Sequence, residues 1–207
     1  MSCYSPARRD RVIEPFPIEW TSAHARLCVL NGDREQNQRS GRGSVRLRRS
    51  LSWGVIGMHS QSFQDRVDWR CYGCGRLNDH GLQIKSHWDG DDVVCRWQAK
   101  PFHVGLPGRL QGGVIATAII CHALWTATAT ACRNEGTEIR EPMGSAYSTT
   151  SLQLEFLAPV PVNGLMTLRA RVTAIDEETA TVACSVFVDD RETTRAHSEH
   201  RRILLPS

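Results

Sequence analysis

The sequence predicts an α+β fold in which an antiparallel β-sheet wraps around one long central α-helix. Three observations predict it. Residues 111–132 carry no formal charge and are entered through Gly112-Gly113, as a buried helix would be. Runs in which apolar and polar residues alternate precede and follow that stretch, two before it and four after. The turn signals between the later runs are short, which favours antiparallel neighbours over crossovers.

The elements follow in order. CYGCGRLNDHGLQIKS supplies Gly and Asn at turn positions and leads into LQIKSHW, a first strand. Asp89-Gly90 then turns the chain into VVCRWQA, a second strand paired with the first as a hairpin. KPFHVGLPGR, broken by Pro101, Gly105, Pro107 and Gly108, is a loop delivering the chain to Gly112-Gly113. The helix it opens runs for about twenty residues and ends near Asn134-Glu135-Gly136. After a polar loop come TSLQLEFLAPV, LMTLRARVTAI, TATVACSVFVDD and RAHSEHRRILL. In the first of these, Leu152, Leu154 and Phe156 face one way and Ser151, Gln153 and Glu155 the other, so one face is expected in the core. Asn163-Gly164 and Asp176-Glu177-Glu178 provide turns.

Composition bounds the function. Of a formal charge of +3, residues 1–57 hold ten arginines and no lysine against five acids, so the remainder is slightly acidic and offers no footprint for nucleic acid. Eight cysteines are scattered through apolar segments and lack the even spacing of a secreted disulfide framework, which fits a reducing cytoplasm. The uncharged stretch has the roughly 20-residue length of a membrane span, but its threonines, Gln111 and His122 favour a helix inside a soluble domain. Residues 1–57 have few periodic apolar positions. They are expected to be a disordered extension or an artefact of gene prediction with Met58 as the true start. The Arg-rich composition also fits a transit leader, against which the acids and the length argue. The folded domain is then 58–207.

Residues 69–204 resemble the hotdog-fold acyl-CoA thioesterases, particularly their PaaI-like branch. CYGCG with Asn78 and Gly81-Leu82, then PFHVGLPGRLQGGVIAT, then TTSLQLEFLAPVPVNG carry the resemblance, in that order. It implies hydrolysis of an acyl-CoA thioester to free acid and CoA without a cofactor. It also implies a homodimer or dimer of dimers whose protomers share a continuous sheet, with active sites at the interface.

The chemistry requires donors for the developing oxyanion and a carboxylate as base or nucleophile. The resemblance assigns the donor to the Gly112 N–H, at a helix N-terminus where amides lack partners and the dipole favours negative charge. Gly113 follows it. Gln111 stands where the family usually has His, and its amide can donate to a carbonyl or fix the loop. The family's carboxylate falls eight residues after the first glycine, and here that position is Ile120. Ala116, Thr117, Ala123 and Leu124 share its helix face and none is acidic; no carboxylate occurs between Asp92 and Glu135. Thr149 matches a position that orients the attacking water in some relatives. His103, in the loop lining the carbonyl in relatives, is either a substitute base or a surface loop histidine. Arg109 is among the arginines available for CoA phosphates, and Ile120 and Leu124 would line an acyl pocket.

Without the carboxylate, the alternative to an enzyme is an acyl-CoA binding or sensing module. Cys121 and His122 are adjacent, and on a helix such neighbours diverge, so a catalytic dyad is not expected. Cys71-x-x-Cys74, with His80 and His87 downstream, lacks the tight second pair of a zinc site, so no metal is expected.

Overall fold

In the computed structural model, residues 61–205 are described. The readings on residues 1–57 and the boundary at Met58 lie outside them. Six strands form one antiparallel sheet: β1 (His87–Asp89), β2 (Asp92–Gln98), β3 (Ser145–Phe156), β4 (Leu165–Ile175), β5 (Thr179–Val188) and β6 (Arg191–Leu204). Their spatial order is β1-β2-β4-β5-β6-β3, and the single long helix α1 (Gly112–Asn134) packs against β3, β4, β5 and β6.

The core is the meeting of one helix face with the inner face of the sheet. Ile119, Ala123 and Ala127 of α1 are buried, as are Met166, Leu168 and Ala170 of β4 and Val182, Cys184 and Val186 of β5, while Trp125 is buried against Trp69 and Cys74. Alanines on the helix let its backbone approach the sheet closely, and the larger Met166, Leu168, Val182 and Val186 fill the pleated surface opposite. Among the described residues α1 is the one helix long and apolar enough to cross a bilayer, and it is spent on this core.

Three expectations change. The first strand is reduced to His87–Asp89, because Gln83 sits at φ 57 and breaks the extended run ahead of it. Its side-chain amide donates to the carbonyls of Gly75 and Asn78, which holds the turn in place of a ladder. Second, β3 begins at Ser145, inside the expected polar loop, since pairing with Leu204 to Arg201 of β6 extends it backward. It is an edge strand, so Leu152 and Leu154 are only half-buried and Phe156 is exposed. Third, α1 is not enclosed on all sides. Gly113 is exposed and Ala116, Thr117, Ile120 and Leu124 are half-buried, a stripe at helical spacing that the sheet leaves open.

Candidate active site

The entrance to α1 is built by the loop before it. A short 3-10 turn (Pro101–His103) buries the His103 ring against Trp97, stacked at 5.5 Å, with Phe102 edge-on at 4.6 Å. The His103 carbonyl accepts from the Gln111 N–H at 3.0 Å, and the Gly105 N–H donates to the Arg109 carbonyl at 2.9 Å. The 103–111 segment is thereby folded into a compact hook. Its far side is tied to the segment between β3 and β4, where the Leu110 N–H donates to the Val160 carbonyl at 2.8 Å.

Gln111 is the N-cap of α1. Its Oε1 accepts from the Val114 N–H at 2.9 Å, and its main-chain carbonyl accepts from Val114 and Ile115. The side-chain oxygen thus satisfies one of the orphan amides of the first turn. Its Nε2 has no partner among the described residues. The N–H groups of Gly112 and Gly113 likewise make no hydrogen bond among the described residues. Two main-chain donors and a side-chain amide therefore cluster at the positive end of a 23-residue helix.

Above these donors lies a cleft of about 620 Å³, lined on one side by Leu106, Arg109 and Gln111 and on the other by Phe156 and Leu157, with Ile115 between. The lining is apolar except for Gln111 and Arg109, and it contains no carboxylate. Phe156 lies directly over Gly112: a β-carbon there would stand 3.2 Å from the ring tip, so a glycine gives the ring and the amide room to coexist. An unpaired donor beside an apolar trough is an arrangement for a carbonyl carrying an apolar chain.

Other residues singled out from sequence lie elsewhere. His103 is buried, not on the loop surface, and its Nδ1 accepts from the Lys100 N–H at 3.1 Å. Burial, and then the Lys100 charge, hold its pKa below the ordinary imidazole value. It does not line the cleft. Thr149 lies seven residues before Phe156 on β3, roughly 23 Å along an extended strand, and so away from Gly112 in the same protomer. A bulge beside it shifts the register between Thr149 and Ser151, and its hydroxyl meets His200 Nδ1 at 3.2 Å. Ile120 and Leu124 lie on the open stripe of α1, not in the cleft.

His122 is fully buried and satisfied. Its Nε2 is 3.2 Å from the Val93 carbonyl, which requires the N–H there, and so Nδ1 accepts from the Ser86 hydroxyl at 2.9 Å. Ser86 accepts in turn from Gln64 Nε2. Burial pushes the His122 pKa down to about 4. Cys121 points elsewhere, with its sulfur 3.8 Å from that of Cys71, so the two neighbours form no dyad. Phe156, Leu106 and Ile115 were not singled out from sequence; they come together only when β3 ends over the helix entrance.

A family model described as the thioesterase superfamily matches residues 108–194. Over 105 residues, 51% of the chain, the sequence is 28% identical to acyl-coenzyme A thioesterase THEM4 of Bos taurus, and the chain spans 38% of that relative's length. Among solved structures, a thioesterase of Haemophilus influenzae superposes with a TM-score of 0.52 at 14% identity, covering 64% of this chain and 89% of its own. A thioesterase superfamily protein of Shewanella loihica gives 0.48 at 25% identity, covering 63% and 97%. The matched residues include Gln111, Gly112, Ile120 and Thr149 and exclude Cys71 and Cys74. Residues 108–194 thus match the thioesterase superfamily in sequence, and the antiparallel sheet wrapped on one long helix gives the chain the hotdog fold.

Proposed function

We propose that the protein acts on acyl-CoA, as a PaaI-like thioesterase that holds the thioester carbonyl on the Gly112 N–H. The unpaired amide of Gly112, which lines the 620 Å³ apolar cleft, carries this reading. The acyl chain would lie against Leu106, Ile115, Phe156 and Leu157, and Arg109, exposed at the rim, would meet a CoA phosphate. In hydrolysis the amide stabilises the oxyanion as water adds to the carbonyl, and collapse expels the CoA thiolate.

The chain is proposed to work as a cytoplasmic homodimer or dimer of dimers. The half-open stripe from Gly113 to Leu124 and the unpaired edge of β3 are the surfaces left for a second copy. A partner's Ile120 and Thr149 would then complete the site, which places Ile120 where the family's carboxylate acts.

A second reading has its own observation. Neither the cleft nor the stripe holds an Asp or Glu, so the protein could bind acyl-CoA and not turn it over. CoA release from short, medium, long and aromatic acyl-CoAs, measured for the wild type and Ile120→Asp side by side, separates the two. A binding module gives a silent wild type that still binds acyl-CoA, with turnover raised by about 10²–10⁴ in the variant, the range a positioned acid or base supplies. A hydrolase gives turnover in the wild type. Failure of both proteins to bind any acyl-CoA sinks both readings.

A further inference from the structure

Three thiols meet at one point on α1. Cys71 and Cys74 come from the turn after Trp69, Cys121 comes from the helix fifty residues later, and the three sulfurs lie within 4.8 Å of one another. We infer that Cys71, Cys74 and Cys121 form a thiolate site for Zn²⁺ that staples the 67–86 segment to α1. The sequence alone offered only the first pair, and His80 and His87 are not part of the group.

The spacing admits a tetrahedral sulfur site, with all three separations within 4.8 Å. A Zn–S bond of about 2.3 Å in a regular tetrahedron sets neighbouring sulfurs about 3.8 Å apart. The Cys71 and Cys121 sulfurs are separated by 3.8 Å. The turn is shaped for this approach. The Gly75 N–H donates to the Cys71 carbonyl at 2.9 Å, and a β-carbon on Gly75 would collide with the Cys71 nitrogen and the Trp69 carbonyl. A β-carbon on Gly73 would stand 2.2 Å from the Cys121 sulfur, so only glycine lets the loop reach the helix there.

The surroundings supply donors, not acceptors. The Trp125 Nε1–H donates to the Cys74 sulfur at 3.2 Å. Donors to sulfur stabilise a thiolate and tune a metal bound to it. Cys74 and Cys121 are buried, while Cys71 is exposed and leaves a fourth position open to water. On binding, three thiol protons leave to solvent as three Zn–S bonds form, and the site carries a net charge of −1. Such an electron-rich zinc acidifies water weakly, so its work is structural.

A structural staple answers a need visible in the fold. Between Arg66 and His87 the chain forms no regular helix or strand, a length at which structureless connections in compact domains are uncommon. Buried Val67, Leu82 and Ile84 and the Gln64–Ser86–His122 bonds hold it from within. The thiols would hold its middle. This inference does not depend on the hydrolase reading.

The test uses the full chain, reduced and stripped of metal, titrated first with Co²⁺ and then with Zn²⁺. One equivalent of Co²⁺ should produce the near-ultraviolet sulfur charge-transfer band and strong visible bands of a tetrahedral thiolate site, which Zn²⁺ then bleaches. Cys121→Ser and Cys71→Ser should each lose at least about 100-fold in zinc affinity, more than an outer-sphere partner is worth. Zinc should raise the Tm of the wild type and leave that of Cys71→Ser unmoved. Because Cys71 is exposed, its variant folds even if Cys121→Ser does not. Absence of saturable binding in the wild type, or binding unchanged in a folded Cys71→Ser, overturns the proposal.

Discussion

The two ends of the polar chemistry along α1 obey opposite rules. At its entrance, the Gly112 amide and the Gln111 Nε2 are left without partners among the described residues, and both residues line a cleft. Three turns further on, His122 is sealed from solvent, and both of its ring nitrogens are bonded, with Ser86 and Gln64 completing the set. An unpaired polar group in the interior costs about 1–3 kcal/mol, whereas at a cleft water or substrate can occupy it. The difference separates a place for ligand from a place for stability. Breaking the first should damage activity and spare the fold, and breaking the second should do the reverse.

The largest effect is expected at the entrance. Gly112 is the first residue of α1, where proline is tolerated because its missing N–H has no intrahelical partner. Gln111, at φ −70 and ψ 131, already has the extended backbone that suits a residue before proline. Gly112→Pro should therefore lower kcat by about 10²–10³, the worth of one oxyanion donor, measured in whichever background, wild type or Ile120→Asp, turns over. Gly112→Ala controls for crowding against Phe156, since it keeps the N–H. Equal losses in both variants would show that the ring, not the donor, sets the rate.

What the sequence made legible depended on how local each feature is. The long helix was readable because an uncharged run entered through two glycines has few other structures open to it, and the helix-entrance donors need only contiguous residues. The LQIKSHW strand was misread because alternation cannot report that Gln83 turns left-handed to satisfy the carbonyls of Gly75 and Asn78. His103 looked like a surface loop residue, because nothing near it in sequence announces that Trp97 will stack on it. Phe156 over Gly112, and Cys121 against Cys71, join residues more than forty apart, and only the tertiary fold brings them together. Ile120 was legible as a missing carboxylate only through the family resemblance, since on its own it is an ordinary apolar helix residue.

The sealed end should report itself through pH. Burial lowers His122 and His200 to about 4 from the ordinary value of 6.5. Their folded forms therefore bind fewer protons than the unfolded chain between those values, and stability rises with pH across that window. It should be complete above about 6.5 and fall as the pH drops toward 4, with each histidine contributing a slope of up to about 1.4 kcal/mol per pH unit. Denaturant unfolding at a series of pH values measures it. His122→Leu should remove one histidine's share of that slope and cost about 1–3 kcal/mol at pH 7, since Ser86 loses its acceptor and the Val93 carbonyl its donor. A slope unchanged in the variant would mean that His122 titrates freely and the network is not sealed.

The smallest effect falls where the two regimes meet. Thr194 pairs across the ladder with Phe156, and its buried hydroxyl has no partner among the described residues. If the sheet there belongs to the sealed interior, Thr194→Val replaces an unsatisfied hydroxyl with a methyl group of similar shape and should stabilise the protein by about 1 kcal/mol. If the open cleft reaches it instead, water already satisfies the hydroxyl and the same variant should lower stability or leave it unchanged. Denaturant midpoints at pH 7, read with the m-value held constant, distinguish the two and so place the boundary between the ligand side and the core within one residue of Phe156.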